Sequence, residues 1–173
     1  DFITEDLKHI AARLAEGPEQ LAPAIDDPEV YECVRGAFVN AVFAMVCRDR
    51  ISREVAIQFL RDRLRTAIDN EDTHVVTKTV EVLGLLLADE ARNDVKAAEE
   101  ADLVDEAWIG KNFFEEQLTR GSAGFEEEKE LYLRYNANTS ADHLSRLPCF
   151  NQKKQVAQTL DSVVQEICRP FAY

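Results

Sequence analysis

Three kinds of side chain in this chain can in principle do chemistry, and each sits in a spacing that limits what it can do. His74 follows Asp69, Glu71 and Asp72, the densest set of metal-ligating types in the sequence. An imidazole beside carboxylates suits a hard divalent cation, but the set lacks the glycine and the terminal glutamate of a calcium loop. Acids also gather at helix N-termini, where they complement the positive end of the dipole, and that reading is favoured here. His9 and His143 lie on other segments, so a histidine-rich metal site requires long-range convergence. Ser122 stands between Gly121 and Gly124, without the strand-to-helix context of a nucleophile elbow. The sequence holds no phosphate-binding glycine loop, no dinucleotide fingerprint and no HExxH helix. No catalytic residue, cofactor site or metal ligand is assigned from it.

Charge and aromatic side chains suggest binding instead. From Arg48 to Arg65 there are six arginines and three acids, whereas Asp89 to Glu130 carries fourteen carboxylates and five basic residues. A basic strip on an acidic body suits recognition of an acidic protein surface. The competing and more common reading is a solvated helix face laced with ion pairs, such as Asp62 with Arg65 and Arg65 with Asp69. Trp108, Phe113 and Phe114 form either an aromatic patch or a plug where the chain changes direction. Arg53, Arg61, Arg65, Trp108 and Phe113 are the candidate partner-binding residues.

The elements that must position them are helical. Asp27 to Arg48 reads as one long buried helix, capped by Asp27, with Pro28 where a missing N–H costs nothing. Val30, Val34, Phe38, Ala41, Val42 and Met45 recur at spacings of three and four, and from Ala37 to Cys47 only Asn40 is polar. Gly36 in mid-helix marks a close helix crossing. A shift of forty-two residues carries Val34 onto Val76, Phe38 onto Val80 and Ala41 onto Leu83. That period is typical of stacked helix pairs, although two ordinary helical hairpins give a similar shift. Before this repeat, Thr4 caps a first helix that Gly17 and Pro18 end, and a short helix or turn follows to Ile25. Ser52 caps the arginine-rich helix, Asp72 or Thr73 the next, and Asn93 a short one through Ala98. After Ala101 the pattern becomes irregular, with a helix near 113–120, a break at Gly121 to Gly124 and a short helix to Tyr135. A polar loop runs to Pro148, and the tail regains an amphipathic pattern at Val156, Leu160, Val163, Val164 and Ile167.

The fold expected is all-α: a HEAT-like α-solenoid of antiparallel helix pairs with an irregular C-terminal segment. It forms one domain over 1–173, with regular hairpins over 1–100, an irregular part over 101–150 and a terminal helix over 151–173. At 173 residues the chain is long enough for a real core. Six glycines and five prolines argue against an all-β fold. A net charge of −13 disfavours nucleic acid as a partner. No apolar run approaches the roughly 20 residues of a membrane span. Cys33, Cys47, Cys149 and Cys168 form no CxxC pair, and Cys33 and Cys47 read as small core residues. Reduced thiols and no signal peptide point to the cytoplasm. The chain opens at Asp1 inside a helix start, as expected for a trimmed or partial protein.

Several stretches also carry a family resemblance. ITEDLKHIAARL, DPEVYECVRGAFVNAVFAMVCRDRISREVAIQFLRDRL and LVDEAWIGKNFFEEQL resemble a bacterial family known as domain of unknown function 1186. The resemblance rests on Thr4-Glu5-Asp6-Leu7, Val34-Arg35-Gly36-Ala37, Ser52-Arg53-Glu54 and Leu103-Val104-Asp105 leading to Ile109-Gly110, and covers roughly residues 3–120. It implies a HEAT-like helical fold and no established activity. Members usually carry a further helical segment before the position of Phe2. Some carry a cysteine-rich metal-binding tail, which this chain lacks.

Together these features predict a protein-binding or scaffold module with a protein partner. The alternatives are a small-ligand or metal-dependent enzyme whose site assembles only in three dimensions, and a structural piece of a larger helical assembly. An enzyme requires a closed pocket with converging acids or histidines; a scaffold requires an open face.

Overall fold

The computed structural model describes residues 2–136, and these are predominantly α-helical. The helices are α1 (Phe2–Leu14), α2 (Ala22–Asp26), α3 (Glu32–Cys47), α4 (Arg53–Asp69), α5 (Thr73–Leu85), α6 (Arg92–Glu100), α7 (Glu106–Ile109) and α8 (Phe113–Asn136). Single 3-10 turns at Pro18–Gln20 and Asp89–Ala91 lead into α2 and α6. The sequence readings for 137–173, including His143, Cys149, Cys168 and the amphipathic tail, lie outside the described residues.

The helices pack in two rows. α3 lies between α1 and α5, and α8 packs on α5 with its second half reaching back to α3. In the second row α4 lies between α2 and α6, with α2 against α3 and α4 against both α3 and α5. α3 is the central element because every residue from Val34 to Cys47 except Asn40 is buried. A helix apolar all round is stable only when neighbours cover it all round. Against it α1 sets Leu7, Ala11 and Ala12, α4 brings Ala56, Leu60 and Leu64, and α5 brings Val76, Val80 and Leu83 to the same core.

Helix starts follow local chemistry where a cap exists. Ser52 Oγ accepts from the Val55 amide at 3.3 Å, and the Asp72 carboxylate accepts from the Val75 amide at 3.1 Å. Asp27 does not cap α3. Its carboxylate accepts from the Glu29 amide at 2.9 Å and its carbonyl from Val30 at 3.1 Å, so Asp27 to Val30 forms a turn and the helix begins at Glu32. A side chain that folds onto its own next amides cannot also serve the helix beyond them. Asn93 lies inside α6, which runs straight out of the preceding 3-10 turn at Arg92, and α1 begins ahead of Thr4. Cys33 is half-buried rather than a core residue. Cys47 is buried, and burial pushes its thiol up to about 12.

Four consecutive helices stop in the same way. Asp49, Glu71, Leu87 and Asp102 follow α3, α4, α5 and α6 with φ of 54°, 54°, 54° and 56°. The next amide in each case reaches back to the last turn: Arg50 to Met45, Asp72 to Ala67, Ala88 to Leu83 and Leu103 to Ala98, at 2.9 to 3.1 Å. These are Schellman stops built without glycine. α3 has 16 residues and α5 has 13, so the offset that aligns their starts does not align their ends.

Candidate interaction surface

The α4 arginines are held by neighbouring helices. Arg53 donates to the Leu86 and Leu87 carbonyls at 2.7 and 2.6 Å and to Glu90 at 3.0 and 3.2 Å. It thereby satisfies carbonyls at the C-terminal end of α5, where a cation is favoured. Arg61 and Arg65 converge on Asp94 of α6, at 2.6 Å from Arg61 and 2.9 and 3.1 Å from Arg65. Burial pushes the Asp94 carboxyl up, but the hydrogen bonds from Arg65 and Arg61 outweigh it and leave it below its ordinary value. Arg65 also meets Asp62 at 3.4 Å. Arg63 pairs with Asp26 of α2, and Arg35 of α3 pairs with Asp72. Arg50, just before α4, donates to Ala12 O at 2.6 Å and to Arg13 O. Arg50 and Arg53, three residues apart, therefore tie the ends of both helices that flank α3.

A different face is formed by α3 and α5. His74 and Lys78 lie one turn apart on α5 and fold across Gly36 of α3. A Cβ at residue 36 would stand 2.7 Å from His74 Nε2 and 3.2 Å from Lys78 Cγ. The glycine thus opens the room those side chains occupy, as its mid-helix position suggests. His74 Nε2 is buried with no hydrogen-bond partner among the described residues. Burial holds the His74 pKa below its ordinary value, with Glu32 opposing and Lys78 and Arg35 reinforcing that shift. Asp72, beside it, is occupied as the α5 cap and by Arg35. Of the acids before His74, Asp72 thus serves the helix start, while Asp69 ends α4 and Glu71 takes the left-handed position after it.

Lys78 leads to Trp108. Its Nζ lies 4.3 Å from the centre of the indole ring and 2.9 Å from Glu81. Trp108 is 63% exposed on α7. The segment is fixed by Asp105, whose carboxylate accepts from Ala107 N at 3.0 Å and whose amide donates to Thr77 Oγ1 of α5 at 2.9 Å. Gly110, at φ 86°, and Asn112, at φ 61°, turn the chain into α8. Phe113 is half-buried against α5, where Gly84 makes its room: a Cβ there would stand 3.0 Å from the Phe113 ring. Phe114 is 2% exposed and belongs to the core. Of the aromatic group, Trp108 faces outward, Phe114 plugs, and Phe113 does part of each.

Next to Trp108 a recess of about 50 Å³ is lined by Val80, Glu99, Val104, Glu106 and Phe113. That holds a water or two, far below the several hundred Å³ of a metabolite pocket. Burial and the neighbouring Glu115 and Glu106 hold the Glu99 carboxyl above its ordinary value. Among the described residues no group of three or more histidines, cysteines and carboxylates is placed to hold a metal ion. His9 is 3% exposed, and its Nδ1 lies 2.6 Å from Tyr132 Oη. Ser122 is exposed on α8. No helix among the described residues is long and apolar enough to cross a membrane. The Lys78–Trp108 stack and the two arginine–carbonyl clamps escape sequence reading, because each joins helices far apart in the chain.

An uncharacterised protein of Chlamydia trachomatis is 26% identical over 109 residues, which is 63% of this chain and 43% of the relative. The chain therefore spans under half the length of that relative. No solved structure matches it. The model of a bacterial family described as protein of unknown function (DUF1186) matches residues 1–141, most of the chain, and the protein belongs to that family.

Proposed function

We propose that this protein is a protein-binding scaffold, a HEAT-like stack of antiparallel helix pairs whose partner docks on the face where Trp108 stands. The observation that carries this reading is the Trp108 ring itself, 63% exposed, stacked under Lys78 and fixed by the Asp105–Thr77 hydrogen bond. A large aromatic on a rigid seat loses little entropy on binding and contributes disproportionately to interface energy. The two-row packing of α1, α3, α5 and α8 over α2, α4 and α6 supports the stacked-pair architecture. Phe113 backs the Trp108 segment. Arg53, Arg61 and Arg65 belong to the same proposal in a supporting role, since a partner reaching them must share or displace Glu90 or Asp94. The small volume of the recess beside the Trp108 segment and the net charge of −13 favour a protein over a metabolite or nucleic acid. A reducing, cytoplasmic setting is part of the reading and is supported by the free thiols of Cys33 and Cys47.

The test is affinity capture from source-cell lysate with the wild-type chain, Trp108→Ala and an Arg61→Glu, Arg65→Glu variant, read by mass spectrometry. A partner lost with Trp108→Ala while the variant keeps its helical content supports the proposal. An identical captured set for wild type and Trp108→Ala overturns it.

A further inference from the structure

Gly121-Ser122-Ala123-Gly124 is the corner of α8. Gly121 takes φ 61° and ψ −159°, a combination open at low cost to glycine alone. Gly124 is a second requirement, because a Cβ there would stand 2.7 Å from Arg120 Cβ. Arg120 donates to Gln117 at 2.9 Å on its own side and, across the corner, to Glu128 at 3.1 Å and Glu127 at 3.0 Å. Residues seven and eight apart are separated by roughly 10–12 Å along a straight helix, so the bend brings this cluster together.

Beyond the corner, the arm of α8 returns to α3 and α1. Phe125 and Tyr132 each set an edge against Phe43, with ring centres 6.5 and 6.0 Å apart. Lys129 Nζ lies 3.1 Å from the Asp49 carboxylate, Tyr132 Oη 2.6 Å from His9 Nδ1, and the Arg48 guanidinium 5.7 Å from the Tyr132 ring centre. Together these groups make a groove around Phe43 shaped to one helix with aromatics seven residues apart and a lysine between them.

The same segment is also patterned as one uninterrupted helix. Phe114, Gln117, Leu118, Gly121, Phe125, Glu128 and Tyr132 follow at spacings of three and four, and all are buried or half-buried. The covered face thus runs through Gly121 without a break, with Phe114, Leu118, Phe125 and Tyr132 as its apolar members. Straightening costs the corner contacts and removes the arm from its groove. It also gives the arm reach toward another molecule.

We infer that the Phe43 groove is an interaction surface for a second copy of this chain: when α8 straightens at Gly121, the two copies exchange arms, each placing Phe125, Lys129 and Tyr132 in the other's groove. Every arm contact of the bent monomer is remade between chains, so the two forms differ at the corner and in association entropy. That is the energetic condition for domain exchange.

Gly121→Ala biases the corner in one direction, because alanine is strained in the bend and favoured in a straight helix. The dimer-to-monomer ratio at fixed concentration should rise at least about tenfold per corner. The full chain is used, with Cys33, Cys149 and Cys168 replaced by serine and Cys47 by alanine. Copies carrying Asp49→Cys are mixed with copies carrying Lys129→Cys and treated with a short bismaleimide, with light scattering on a sizing column in parallel. Gly121→Ala is expected to be dimeric and to give the cross-link between different chains, and adding Phe43→Ala should abolish both. A monomeric Gly121→Ala, or a dimer without the between-chain product, overturns the inference. If Gly121→Ala fails to fold, the same cross-link in the Gly121 background decides. A between-chain product that grows with concentration supports exchange, and its absence up to millimolar protein overturns it.

Discussion

Gly36 lies so close to His74 that a Cβ on residue 36 would stand 2.7 Å from the imidazole Nε2. The crossing of α3 and α5 is set by this pair. Gly36→Ala therefore has two opposed effects. Alanine improves the helix by about 1 kcal/mol, while overpacking against His74 and Lys78 costs about 1–3 kcal/mol. The net expectation is a loss of about 1 kcal/mol with His74 present, turning into a gain in a His74→Ala background. A double-mutant cycle by urea unfolding measures this coupling; additive substitutions would contradict it.

His74 also makes stability depend on pH. Its folded pKa is lowered, chiefly by burial, so the unfolded chain binds the proton more readily. Glu32 and Asp72 act against the shift, and Lys78 and Arg35 add to it. Stability from this group is complete above the ordinary histidine value of about 6.5 and declines as pH falls below it. Urea midpoints between pH 7.5 and 5 should fall less steeply in His74→Gln than in the wild type. Equal slopes would remove His74 from the account.

Asp94 joins α4 to α6 through Arg61 and Arg65. Asp94→Asn should cost about 1 kcal/mol, since it weakens charge-assisted bonds that remain partly solvated. The folded Asp94 pKa is depressed, so its contribution is present above the ordinary carboxylate range and is lost as pH falls through the folded value. The gap between wild type and variant should therefore narrow as pH falls below the ordinary aspartate value of about 3.9. A gap that is constant with pH would point to a packing effect instead.

Glu71 occupies the left-handed region at φ 54° with its side chain exposed. Glycine relieves that strain and alanine does not. Glu71→Gly should stabilise the protein by about 0.5–1 kcal/mol, after the extra freedom glycine gives the unfolded chain is counted. Glu71→Ala should not gain. Thermal unfolding of the two variants side by side checks the contrast, and an alanine variant at least as stable as the glycine one would refute it.

Most of the helices were legible in the sequence because the signals that mark them are local. The three-and-four spacing from Val34 to Met45 requires a covered helix wherever it sits, and α3 is covered on every side. Ser52 and Asp72 accept the amides that their positions before apolar runs lead one to expect. Gly36 marked the close crossing, and Gly121 the break in α8. Helix ends were less legible. Asp49, Glu71, Leu87 and Asp102 stop their helices without the glycine that usually announces such a stop, and Asp27 spends its carboxylate on a turn.

The partners of the charged residues were settled only by tertiary structure. Composition shows an arginine-rich α4 among acids, but not that Arg61 and Arg65 share Asp94 or that Arg53 binds the end of α5. A long charged side chain pairs with whatever helix lies beside it, and the order in which helices stack is absent from local periodicity. The same holds for Trp108, exposed because α7 docks through Thr77, and for Tyr132, carried to His9 across 123 residues of chain. Local spacing determines that these residues sit on helices. Which face of which neighbour they meet depends on burying the apolar surface of α3 against its own row and the row of α2 and α4, a property of the whole chain.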